Sequence, residues 1–145
     1  MSSESVVVFN AESTKLEMTI NTALNKSELL ISEIIQIYYD IINVNSLCVI
    51  LQQQFELSDK NHSIFEKIKN TQKLILEKFD LNLHRSIIVQ LENSLVEITQ
   101  KLQSTNNLEK SNDDVEIEAK LFEKLRQIMS TKEFVEQYDQ GLSHD

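Results

Sequence analysis

Few residues in this chain could do covalent or metal chemistry, and their spacing is poor for it. Cys48 is the only cysteine, so no intramolecular disulfide is possible and no second thiolate is present to share a zinc ion. His62, His84 and His144 are far apart and form no paired-ligand spacing. Gly141 is the only glycine, which removes every phosphate-cradling loop, because such loops need several glycines for close backbone approach. Cys48 falls on an apolar stripe, where a thiol is inert packing rather than a nucleophile. His84 reads as a satisfied core or interface histidine. The chain is therefore expected to be no enzyme, with no cofactor, no metal and no small-molecule substrate.

Charge gives one more specific pattern. Lys60, Lys67, Lys78 and Arg85 are separated by seven, eleven and seven residues. On one uniform α-helix these offsets keep the four on a common stripe. They are a candidate docking strip for an acidic partner. The plainer reading pairs them with acidic residues of the first helix, such as Glu17, Glu28 and Glu33, with little net stabilisation from each exposed pair. The net charge of −9 disfavours direct nucleic-acid binding, which needs a basic field.

The elements that carry these residues follow from apolar periodicity. Leu16, Ile20, Ala23, Ser27, Leu30, Ile34, Ile37, Ile41, Val44, Cys48, Leu51 and Phe55 step alternately by four and three. That period predicts one long helix from about Ser13, its N-cap, to about Glu56, lying along another helix. Leu24, Ile31 and Tyr38 widen the stripe on one flank, with the tyrosine hydroxyls at a rim. Ile35, Ile42 and Val49 form a second apolar row. Between Glu33 and Glu56 the only formal charge is Asp40, so other helices should surround this one.

A second helix is expected over 60–103. Phe65, Ile68, Ile75 and Phe79 line its early half, and Ile88, Leu91, Leu95, Ile98 and Leu102 its later half. The two halves slip in phase around Phe79–Leu83, and without Gly or Pro to stop it the helix should continue with a stutter or gentle kink. Polar residues at 104–112 read as a linker. A third helix should start near Asp113 with Ile117, Leu121, Leu125 and Ile128 on its face. The capping-box spacing Ser130–Glu133 suggests a short fourth helix with Phe134, Val135 and Tyr138, closed by Gly141.

The fold class expected is all-α: a long antiparallel, coiled-coil-like helical hairpin plus one or two short C-terminal helices. Its parts are a polar leader over 1–11, the hairpin over 12–103, the linker over 104–112, a helical segment over 113–140 and a tail over 141–145. Absence of Pro and a single Gly argue against sheet. The first ten residues have Glu4 and no basic cluster before the short apolar run Val6 to Phe9, so no secretory signal is expected. The most apolar run, 41–55, is interrupted by Asn43, Asn45 and Gln52 to Gln54, so no membrane insertion is expected.

Apolar residues on two faces of the first helix point to helical partners beyond the hairpin. The expected function is a structural subunit of an intracellular, nuclear or cytoplasmic, hetero-oligomeric complex. Its packing or partner-binding residues would be Leu30, Ile34, Ile37, Ile41, Val44, Leu51, Phe55, Leu91, Leu95, Ile98, Leu121, Leu125, Ile128 and Phe134. The alternative is a self-contained helical-bundle adaptor, monomeric or homodimeric, that recognises a peptide of a partner protein.

Overall fold

The seven-residue stripe that predicts one long helix is divided between two. In the computed structural model, which describes residues 3–55, 62–105 and 112–143, α1 spans Ser3–Leu24 and α2 spans Ile31–Phe55. The break falls where Asn25, Lys26 and Ser27 follow one another. The N–H groups of Asn25 and Lys26 bond to the carbonyls of Thr22 and Ala23 at 3.2 and 3.1 Å, which tightens the last turn of α1. The α2 helix then opens on Leu30. Glu33 Oε1 accepts from the Leu30 N–H at 2.9 Å, the carboxylate half of a capping box. Ser27, the one polar residue on the expected stripe, lies in the turn.

This turn corrects one expected packing residue. Leu30 is 68% exposed, while its neighbour Leu29 is buried at 7%. The extra residues of the turn rotate Leu29 inward in its place.

The expected leader over 1–11 is also corrected, because residues from Ser3 onward belong to α1. Phe9 is fully buried. Phe9, Ser13, Leu16, Ile20 and Ala23 continue the four-three spacing back by one heptad, and all five are buried. Ser13 is thus inside the helix rather than its N-cap, and its hydroxyl bonds to the Asn10 carbonyl at 3.3 Å.

The described residues are helical outside the turn, with no strand among them. Two compact units divide the chain, Met1–Arg85 and Ser86–Asp145. In the first, α2 packs most extensively on α1; α3 (His62–Leu74) packs on both. A π-helical segment, Ile75–Leu83, continues α3 and packs on α1. It passes into α4 (His84–Thr105) through a right-handed helical residue, and the His84 N–H bonds to the Phe79 carbonyl five residues back.

The phase slip in the sequence explains this wide turn. Thr71, Ile75, Phe79, Leu83, Ile87 and Leu91 are all buried and step by four each time. On a regular α-helix each such step would drift by about 40°, so the row would wind around the helix. Bonds that reach back five residues unwind the helix and absorb that drift. One consequence is that Ile87, rather than the expected Ile88, is the buried residue.

In the second unit, Leu91, Ile98 and Leu102 of α4 are buried and Leu95 is half-buried. The last element, α5, runs unbroken over Asn112–Ser143, which replaces the two short helices expected there. Ser130 to Glu133 do not cap a new helix. Thr131 is buried with its hydroxyl bonded to the Gln127 carbonyl at 2.7 Å, a bond that lets it remain inside a helix. Gly141 lies within α5 rather than beyond its end. Of the expected linker, Ser104 and Thr105 belong to α4 and Asn112 to α5, while 106–111 lie outside the described residues. So do residues 56–61, where the expected first helix ends and the second begins.

Candidate functional site

The α2 helix has two apolar faces. Ile34, Ile37, Ile41, Val44, Cys48, Leu51 and Phe55 are buried, as the spacing predicts, and Tyr38 joins them. One residue further along, about 100° around the helix, runs a second row. Tyr39, Ile42, Val49 and Ile50 in it are 57, 44, 50 and 45% exposed, and Ile35 is half-buried. Ile42, Asn45, Ser46, Val49 and Ile50 line an open cavity of about 530 Å³. Its polar lining is the Asn45 amide and the Ser46 hydroxyl. The formal charges of α2 are Glu33 and Asp40, and Asp40 Oδ1 accepts from Gln36 Nε2 at 2.9 Å. Ile42 and Val49 are legible from the sequence as a second row. Ile50 is missed there, although its offset of eleven from Tyr39 returns to the same face.

By length and composition α2 is apolar enough to cross a membrane, with a mean hydropathy of 1.6. That corrects the expectation that no stretch qualifies. Of its most apolar window, 39% is buried inside the protein, and core helices share this composition.

A second concavity, about 730 Å³, lies between α1 and α2. Met18, Ala23, Leu29 and Ile37 give it apolar walls, and Lys15, Lys26, Glu33 and Asp40 are its charged residues. Lys26 and Glu33 form an ion pair across the turn. The Lys26 hydrogen bond, aided by the Leu30 N–H, holds the Glu33 carboxyl below the usual carboxylate range.

The cationic residues singled out in the sequence do not lie on one uniform helix. Lys60 falls outside the described residues. The π-helical segment lies between Lys67 and Arg85 and changes the rotation per residue on which a common stripe depends. Lys78 Nζ donates to Asn21 Oδ1 of α1 at 3.0 Å. Lys67 lines a small polar groove together with Glu17 of α1. Arg85 is exposed.

The buried polar chemistry is concentrated at Tyr38. Its ring is fully buried, not at a rim, and its hydroxyl lies 2.5 Å from His84 Nδ1. The Phe79 ring meets Tyr38 edge-on at 5.0 Å, and the His84 ring lies 5.7 Å from Tyr38. His84 is 3% exposed and is a core histidine with a partner, as its sequence position suggests. Cys48 is 1% exposed, and burial pushes its thiol up to about 11. At neutral pH it stays protonated and is a poor nucleophile. Among the described residues no three His, Cys, Asp or Glu side chains gather to hold a metal ion.

In α5, Ile128 is buried, whereas Leu121, Leu125 and Phe134 are half-buried. Ile117, expected on the same face, is 51% exposed. No family model, curated protein or solved structure matches this chain.

Proposed function

We propose that this chain is a non-enzymatic structural subunit of an intracellular hetero-oligomeric complex, in the nucleus or cytoplasm, joined to other helical subunits by coiled-coil and bundle contacts. The observation that carries this reading is the second apolar row of α2. Four large apolar side chains, Tyr39, Ile42, Val49 and Ile50, are each about half exposed along one helix whose first apolar face is already buried. Covering them would stabilise an assembly by roughly 1 kcal/mol each from apolar area alone. A partner helix with an apolar stripe and neutral borders fits this face, because α2 presents almost no charge to select against it. Packing of eight α2 residues in the core supports a helix that lies within protein rather than across a membrane.

The groove between α1 and α2 favours the second reading, an adaptor that receives a peptide of a partner protein. Its size is that of a small ligand site, and its walls are apolar with a few charged groups. Two exposed substitutions separate the readings. Ile42→Glu, made together with Val49→Glu, should leave helicity intact and release the native partners in affinity purification. Met18→Glu, in the groove, should retain them. Release by Met18→Glu alone would overturn the subunit reading in favour of the adaptor, and retention by both variants would remove both.

A further inference from the structure

We propose that the exposed row of α2 is a pairing surface whose occupant is a second copy of this chain, laid antiparallel across it. The proposal rests on the subunit reading in treating this row as an interface, and it names what covers it; the subunit enters its complex as a pair. The row is centred on Ser46, which is small and exposed. Tyr39 and Gln53 lie seven residues to either side of Ser46, within about 20° around the helix. Ile42 and Ile50 lie four residues to either side, within about 40°. A two-fold axis at Ser46 therefore sets like chemistry beside like. Ile42 of each copy lies beside Ile50 of the other, and the Tyr39 hydroxyl meets the Gln53 amide. The two serines face each other at the crossing, where small side chains let the helices come close.

Charge favours a second copy at this row. Two chains of net charge −9 repel each other wherever their carboxylates meet. From Tyr39 to Phe55 the only formal charge of α2 is Asp40. Asp40 stands about 120° around the helix from Ser46 and is half-buried. The antiparallel arrangement also sets the two Asp40 carboxylates toward opposite ends of the contact. The polar residues that border the row, Asn43, Asn45 and Gln54, are amides. An amide both donates and accepts, so the same border on a second copy satisfies it. A helix bordered by lysine or glutamate would bring charges against these amides without an ion partner.

The test uses the full chain. Sedimentation equilibrium should show the mass rising from one chain to two with concentration, and Ile42→Glu combined with Ile50→Glu should hold it at one. Single cysteines then read the geometry, because native Cys48 is buried and does not compete. Helix axes roughly 8–10 Å apart, with Cα atoms about 2.3 Å from each axis, bring Ser46 within disulfide reach of its counterpart. In oxidised glutathione Ser46→Cys should form a linked pair. Tyr39→Cys and Gln53→Cys should each stay single alone and should link when the two variants are mixed. All three positions are exposed, and circular dichroism checks that each variant keeps its helicity. A chain that stays single at every concentration, a Ser46→Cys chain that does not link, or a Gln53→Cys chain that links to itself would overturn the antiparallel pair. Those results leave the subunit reading to its own test, the release of native partners by Ile42→Glu with Val49→Glu.

Discussion

Replacing Tyr38 by phenylalanine removes one oxygen from the centre of the first unit and leaves the ring in place. That oxygen lies 2.5 Å from His84 Nδ1, and the two side chains are 0 and 3% exposed, so neither can exchange the bond for bulk water. The aromatic contact with Phe79 at 5.0 Å should survive, because it depends on the ring. The substitution therefore isolates the polar term. Withdrawing one partner from a buried hydrogen bond costs about 1–3 kcal/mol, and the ring's apolar burial offsets little of it. For a chain of this size that corresponds to a loss of roughly 2–4 °C in Tm per kcal/mol. Urea unfolding followed by circular dichroism reads the change. His84→Leu and the double variant complete a cycle in which the pair should couple by about 0.5–3 kcal/mol. A Tyr38→Phe chain within about 0.5 kcal/mol of the parent, together with additive costs in the cycle, would refute the buried bond.

Three further outcomes follow from burial. Ile34, Ile37 and Ile41 are 0, 3 and 0% exposed, so truncating any one to alanine should cost about 2–5 kcal/mol in urea melts. Leu29→Ala should cost substantially more stability than Leu30→Ala, which should change it by no more than about 0.5 kcal/mol; the reverse order would place the turn one residue out of register. Cys48 should resist a thiol reagent at neutral pH until denaturant is added. Its folded thiol titrates near 11 against an ordinary value of 9.0, so the folded state holds the proton more tightly. Stability linked to this thiol is therefore present below pH 9 and should decline as pH rises from about 9 to 11. Fast labelling of the native chain at neutral pH would contradict the burial.

Helix content and most of the buried row of α2 are legible because a sustained four-three spacing leaves an α-helix one way to bury its apolar side chains. What the spacing conceals is where a helix stops. A heptad pattern continues unchanged across a turn if the second helix contributes its residues to the same interior, as Leu16 and Ile34 do here from α1 and α2. The signals that mark the break are local: Asn25, Lys26 and Ser27 in succession, and Glu33 three residues after Leu30. Ser13 conceals the N-terminal extension of α1 in the opposite way, since a serine that bonds to its own helix can be buried. The candidate surface is legible in part. Ile42 and Val49 stand out as a second row, but exposure is a property of packing, and sequence could not separate Leu29 from Leu30. The charged stripe assumed a uniform rotation per residue, and the stretch Ile75–Leu83 does not have it.

That stretch also gives the helix room for a change of chain length. Each wide turn holds roughly one residue more than an α-helical turn. Deleting exposed Leu81 would remove the extra residue of one wide turn, which could then rewind as an α-helical turn and recover most of the lost rotation locally. A substitution at the same exposed position changes no register. The two kinds of lesion should therefore converge here: point changes at position 81 are tolerated, and a single-codon deletion, disruptive in a regular helix, is absorbed by the wide turn.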